Sequence, residues 1–285
     1  MNGTRPMASM HRFRAKRSLG QNFLKNIGVA RRMADLARIG PGDTVVEIGP
    51  GRGMLTRALL ERGGRVMAVE KDDVLASGLQ DAYRHDDRVI IVHQDILDVD
   101  LGAVIPPGAK IVANLPYNIA TNLLIRLAGE ARHIKIAVLM LQQEVAERIC
   151  ARAGDHGYSA LSALVWAGFE ARAAFVVEPD NFTPRPKVVS RVVILSPRSD
   201  AVPQEDFGLF RTVVFCAFSG RRKVLRNTLV NLAGIDRGAL EDLARSSGLD
   251  LSARAQQTSC ETLYRFSRAY GSCVREARPC PEGAP

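Results

Sequence analysis

From Thr44 to Leu195 the chain alternates short β-branched apolar runs with stretches whose apolar positions recur every three or four residues. The first pattern predicts strands and the second helices. Strands are expected at Thr44–Ile48 (TVVEI), Arg65–Val69, Arg88–Val92, Lys110–Asn114 and Ile134–Leu141, with helices at Met54–Arg62, Asp73–Tyr83 and Ile119–Ala128 between them. A helix over Asn26–Arg38 precedes this set, on the spacing of Ile27, Ala30, Met33, Ala34 and Ala37, and Pro41-Gly42-Asp43 reads as a turn. Helices at Gln143–Ala151 and Ser159–Ala167 and strands at Ala171–Val177 and Val188–Leu195 follow. Apolar strands separated by helices of this length imply a parallel sheet covered on both faces.

After Ser196-Pro197 the pattern changes: residues 205–270 read as three or four short helices, which puts a domain boundary near 198–204. The expected organisation is a flexible basic arm (1–17), an α/β domain (18–200), a small all-helical domain (201–270) and a disordered tail (271–285) carrying Pro279 and Pro281.

Composition narrows the class. The 285 residues carry a net charge of +9, with 46% hydrophobic and 24% charged positions, which excludes wholesale disorder. No apolar stretch reaches the roughly 18–20 residues of a membrane span. The charge is uneven: residues 1–38 carry +8, residues 39–197 carry −2 and residues 198–285 carry +3. A near-neutral body with a basic arm points to a polyanionic partner. The five cysteines form no CxxC pair, which argues for a reducing compartment and against a zinc site; the five histidines show no metal-binding spacing, so no metal is expected.

Glu47-Ile48-Gly49-Pro50-Gly51-Arg52-Gly53 joins the first strand of the α/β region to a helix. Glycines there let a ligand approach the backbone, and the helix N-terminus offers free N–H groups. Glu70 ends the next strand, where a carboxylate can accept both ribose hydroxyls of an adenosine-containing cofactor, and Asp95, after the third, could accept from an adenine amino group. A nicotinamide fingerprint wants Gly or Ala where this chain has Met54. The GxGxG spacing with an acid two residues earlier instead matches methyltransferases that use S-adenosylmethionine.

Asn114-Leu115-Pro116-Tyr117 follows the fourth strand. The exocyclic amine of adenine is a poor nucleophile because its lone pair is delocalised into the ring. The Asn114 side-chain carbonyl and the Leu115 backbone carbonyl can each accept one of its N–H groups, favouring a pyramidal nitrogen. Pro116 fixes the turn and Tyr117 can stack on the base, so catalysis would rest on positioning. Phe182 precedes Pro184 and Pro186, a stiff loop in which an exposed aromatic would serve as a stacking surface. Arg221, Arg222, Lys223 and Arg226 place four positive charges in six residues, with Arg222 and Arg226 expected on one helix face at i,i+4; like charges there favour phosphate contacts.

Eight segments in order resemble the rRNA adenine dimethyltransferase family, in its bacterial small-subunit branch, over about residues 16–270. They are SLGQNFL (18–24), VVEIGPGRGMLT (45–56), Val69-Glu70, Gln94-Asp95, NLPY (114–117), MLQQEVAERI (140–149), NFTPRPK (181–187) and FSGRRKVLRN (218–227). The resemblance implies a Rossmann-like class I S-adenosylmethionine-dependent methyltransferase with a small all-helical C-terminal domain. It implies cofactor contacts from Asn22 and Leu24, from Gly49 and Gly51 at the glycine loop, from Glu70 and Asp95, and from Asn114 near the methyl group, with Tyr117 and Phe182 sandwiching a flipped adenine. The implied substrate is two adjacent adenines in a loop near the 3′ end of small-subunit rRNA in the assembling subunit. The expected protein is a cytoplasmic monomer with no membrane or DNA partner. Three rivals are the macrolide-resistance type of large-subunit rRNA adenine methyltransferase, a non-catalytic ribosome assembly factor and a nicotinamide dehydrogenase. Leu115 and the RRKxLRN cluster favour the small-subunit type, intact Glu70, Asp95 and NLPY favour catalysis, and Met54 disfavours the dehydrogenase.

Overall fold

The computed structural model describes residues 20–276, apart from the Glu276 side chain. The expected basic arm at 1–17, Ser18, Leu19, Cys280 and the last nine residues lie outside the described residues.

The first compact unit comprises the described residues up to Ala146 together with Phe169–Arg198. It opens with a two-residue strand, β1 (Phe23–Leu24), and helix α1 (Ile27–Leu36). The Asn26 side chain caps α1 by accepting from Gly28 N–H, which satisfies an N–H with no partner inside the helix. There follow β2 (Thr44–Ile48), α2 (Met54–Glu61), β3 (Arg65–Glu70), α3 (Asp73–Tyr83), β4 (Val89–His93), α4 (Leu101–Val104), β5 (Ala109–Asn114), α5 (Ala120–Gly129), β6 (Ile134–Gln142) and the start of α6 (Gln143–Cys150); the rest of α6 and the next helix, α7 (Ala160–Trp166), belong to the second unit. The unit closes with β7 (Phe169–Val177), β8 (Phe182–Thr183) and β9 (Ser190–Pro197).

Among the described residues seven strands form one sheet in the order β4-β3-β2-β5-β6-β9-β7. The first five are parallel, as crossover helices require, and their ends lie in register: Ile48 opposite Val69 and Ala113, Glu70 opposite His93, and Asn114 opposite Met140. The expected all-parallel sheet is corrected at one side, where β9 runs antiparallel to both β6 and β7. No α-helix separates β7 from β9, so the chain returns without the crossover that a parallel pair needs. The chain runs outward through β2, β3 and β4 and then crosses to β5 beside β2. This order reverses between β2 and β5, the place in an open α/β sheet where a crevice forms beyond the strand ends.

One face of the sheet packs on α1 and α2. Val45, Val66, Ala68, Val112, Val138 and Val192 meet Ala30, Met33, Ala34, Leu55 and Leu59 there. Leu24 and Phe182 belong to the same cluster, which brings the two ends of this unit onto one core.

The second unit comprises Glu147–Gly168 and the chain from Ser199 onward. The expected uninterrupted domain over 18–200 is therefore broken, because residues 147–168, with α7, cluster with the helices. Those helices are α8 (Gln204–Ala217), α9 (Leu225–Leu229), α10 (Arg237–Ser247) and α11 (Cys260–Glu276). The tail expected to be disordered from Gly271 is helical through Glu276. Gly271 acts as a close-approach point: a Cβ there would collide with the Leu209 side chain on α8. Among the described residues no helix is long and apolar enough to cross a membrane.

Candidate functional site

A cleft of about 1070 Å³, counted to its open mouth, lies in the first unit at the carboxyl ends of β2, β3 and β5. Asn22, Leu24, Gly49, Gly51, Glu70, Asp95, Asn114, Leu115, Pro116 and Tyr117 all line it, so most of the residues singled out in the sequence meet in one place.

The glycine loop needs its glycines. Gly49, Gly51 and Gly53 have φ of 66°, 57° and 73°, in the left-handed region that penalises a side chain. At Gly51 a Cβ would also meet the Phe23 ring at 3.0 Å. Phe23 is buried over this loop, with the Arg52 guanidinium stacked 4.6 Å from its ring centre. Nothing in the residue pattern had singled out Phe23, because its position depends on a contact between segments distant in sequence.

Glu70 is buried, and the loop holds both of its oxygens: Gly51 N–H donates to Oε2 at 3.0 Å and Asp72 N–H to Oε1 at 2.9 Å. Burial pushes its pKa up, the Asp72 and Gly51 N–H groups pull it down, and the carboxyl ends above its ordinary value. Each oxygen keeps a second lone pair, which fits a vicinal diol. Asp72 also caps α3, accepting from Val74 N–H, and accepts from Gln21 Nε2 at 3.4 Å. Asp95 is paired with Lys71 Nζ at 2.5 Å and accepts Leu97 N–H at 2.9 Å. Burial alone would raise its pKa, but the Lys71 hydrogen bond, the Leu97 N–H and the charges on Lys71 and Arg126 together hold it below the usual carboxylate range.

Asn114 Nδ2 donates to the backbone oxygen of Asn22 at 3.1 Å. A backbone carbonyl can only accept, so this bond dictates which way the amide faces, and Asn114 Oδ1 is turned away as an acceptor. The Leu115 N–H is used by Met140 O at 3.1 Å, and its side chain is buried, which fixes the main chain at this position. Tyr117 is half-buried and shares a hydrogen bond with Ser190 Oγ at 3.1 Å.

Phe182 departs from its expectation. It is 2% exposed, packs in the core beside Leu24, and does not line the cleft. The prolines stiffen the loop as expected, but β8 pairs with β1 in the register Leu24 opposite Phe182, and that pairing turns the ring inward. Tyr117, the other half of the expected sandwich, does line the cleft.

Glu47, also lining the cleft, is the least solvated acid of the site at 1% exposure. Its Oε2 accepts from Thr56 Oγ1 at 2.6 Å, and its Oε1 has no hydrogen-bond partner among the described residues. Burial, reinforced by the nearby Glu70 charge, outweighs the Thr56 hydrogen bonds and pushes its pKa up to about 8.

The basic cluster lies in the second unit. Arg221, Arg222, Lys223 and Arg226 are all exposed, but Arg221–Lys223 occupy the turn before α9 and only Arg226 is on that helix. Arg222 and Arg226 therefore do not share a helix face: α9 begins at Leu225, because Val224 is engaged in a bridge with Arg254. That bridge brings a fifth cation, the exposed Arg254, to the cluster, and none of the five has an acidic partner among the described residues.

With this geometry in place, the likenesses to known proteins are specific. A family model described as "Ribosomal RNA adenine dimethylase" matches residues 12–270. The "Ribosomal RNA small subunit methyltransferase A" of Caulobacter vibrioides is 43% identical over 257 residues, covering 90% of this chain and 97% of its own. The protein of the same name from Chelativorans sp. is 41% identical over 278 residues, covering 94% and 98%. Among solved structures, the 23S rRNA methyltransferase ErmE is 27% identical over 87% of this chain and 99% of its own, with a TM-score of 0.63. A dimethyladenosine transferase from Plasmodium falciparum shares the fold, with a TM-score of 0.74 at 24% identity over 88% and 98%.

Proposed function

The chain belongs to the ribosomal RNA adenine dimethylase family, and from that premise we propose that it dimethylates the exocyclic amines of two adjacent adenines in a loop near the 3′ end of small-subunit rRNA, using S-adenosylmethionine. The observation that carries the reading is the Asn114 amide, locked by Asn22 O so that its Oδ1 faces out beside the Leu115 main chain.

The residues of the cleft suit the cofactor. Glu70 offers two oriented carboxylate oxygens for ribose hydroxyls, ionised Asp95 an acceptor for an adenine amino group, and the glycine loop a backbone free of side chains. When bound, S-adenosylmethionine supplies an electrophilic methyl group on a sulfonium. Asn114 Oδ1 and Leu115 O each accept an N–H of the target amine, hold its nitrogen pyramidal and aim its lone pair. Tyr117 stacks on the base, its ring held by the bond to Ser190. A single-stranded loop suits this site, because its bases are already unstacked. Arg221, Arg222, Lys223, Arg226 and Arg254 grip phosphates, and the enzyme works as a cytoplasmic monomer on assembling small subunits.

The large-subunit alternative shares the chemistry, so substrate choice is the test. Incubated with undermethylated small and large subunits and S-adenosylmethionine, the protein is expected to stop primer extension at two adjacent adenines of small-subunit rRNA alone. Stops confined to large-subunit rRNA would reverse the assignment.

A further inference from the structure

Residues 20–26, called the cofactor arm because Asn22 and Leu24 line the cleft, are separated by more than 150 residues from the segment carrying Phe182, yet the two form a two-stranded antiparallel ladder, with Phe23 opposite Thr183 and Leu24 opposite Phe182. The ladder is extended by Lys25 N–H donating to Asn181 O at 2.9 Å and closed by Asn26 Nδ2 donating to Asn181 Oδ1 at 2.7 Å.

Both amides are oriented by chemistry. Asn26 Oδ1 accepts Gly28 N–H at 2.8 Å, and an N–H can only donate, so Nδ2 is the atom left for Asn181. Asn181 Nδ2 donates to Glu178 O at 2.9 Å, and a carbonyl can only accept, so Oδ1 is the atom left for Asn26. Two independent local constraints thus make the pair complementary. At the other end of the ladder, Asn22 O holds the Asn114 amide.

We infer that Asn26 and Asn181 are a positioning pair that clasps the cofactor arm to the 181–183 strand and thereby holds Asn114 in its reactive orientation. Neither residue lines the cleft, so both act through others. Phe182 belongs to this device as its anchor: with Leu24 it pins the ladder to the core on α1 and α2. The inference rests on the proposed methyl transfer for its kinetic consequence and on the ladder alone for its structural one.

Asn26→Asp isolates the link. Aspartate caps a helix as well as asparagine, so α1 keeps its N-cap, but a carboxylate oxygen then faces Asn181 Oδ1 and repels it. The variant is expected to lose about tenfold in kcat and to exchange amide hydrogens faster at residues 22–25 and 181–183 together, with α1 protection and the RNA KM unchanged. Asn181→Ala should reproduce both effects, and Asn26→Asp in the Asn181→Ala background should add nothing further. Additive losses, or faster exchange on only one side of the ladder, would overturn the inference. So would an unchanged kcat with both sides loosened. If the wild-type protein fails to methylate small subunits while the two segments still loosen together, the methyl-transfer reading fails and the clasp stands as a structural coupling.

Discussion

Asn114→Ala is expected to lower the single-turnover methylation rate by about 10²–10³-fold, the range seen when one preorganised polar group is removed from a transition-state site. The substitution deletes the Oδ1 acceptor and also leaves Asn22 O without the donor that reaches it at 3.1 Å. Both losses act on the same step: the target nitrogen is no longer held pyramidal, and the arm is no longer tied to the end of β5. Cofactor affinity, measured by calorimetry, should fall much less, because Glu70 and Asp95 remain. Asn114→Asp provides the sharper comparison. It keeps acceptor oxygens but has no donor for Asn22 O, so it should not restore the rate. A loss below tenfold in the alanine variant would remove Asn114 from the chemistry, and wild-type turnover in the aspartate variant would show that the acceptor oxygen works without the bond to Asn22 O.

Glu47→Gln is expected to flatten the pH dependence of stability. The Glu47 carboxyl has its pKa pushed from 4.5 in the free side chain to about 8, chiefly by burial. The folded state therefore keeps a proton that the unfolded state has released. The stabilisation is fully present below about pH 4.5 and is lost as pH rises to about 8. Every tenfold difference in proton affinity between the folded and unfolded states is worth about 1.4 kcal/mol, so the loss across this window amounts to several kcal/mol. Glutamine is neutral throughout and has the same shape. Urea unfolding at pH 5.5 and pH 8.5 should show the wild type losing several kcal/mol more than the variant. Identical slopes would mean that Glu47 is ionised in the folded protein. The groups facing it, Thr56 on α2, Glu70 at the end of β3 and Tyr83 on α3, include no cation that would favour ionisation.

The parallel part of the sheet was legible because its strands are β-branched runs closed by residues with one physical use. Glycines mark the sharp turn after β2, Glu70 ends β3, and Asn114-Leu115-Pro116 breaks β5. Those signals are local, and they converge because parallel strands bring their carboxyl ends to one edge. The features that were not legible depend on distant pairing. Phe182 carries every local mark of an exposed loop aromatic, and only its place opposite Leu24 buries it. Gly271 reads as the start of a disordered tail, and only its place on α11, close against the Leu209 side chain, shows it to be packed. Arg222 and Arg226 have helical spacing, but the Val224–Arg254 bridge delays α9 until Leu225 and adds Arg254 to the cluster. The Lys71–Asp95 pair and the Asn26–Asn181 clasp likewise join segments that no spacing rule connects.

The central claim is that an oriented Asn114 and its neighbours place two methyl groups on each of two adjacent adenines of small-subunit rRNA. The most direct test is mass-spectrometric nucleoside analysis of undermethylated small subunits after incubation with the protein and S-adenosylmethionine. The account predicts two N6,N6-dimethyladenosines per small-subunit rRNA, at neighbouring positions. Absence of dimethyladenosine from that rRNA, with S-adenosylmethionine bound and the protein folded, would contradict it.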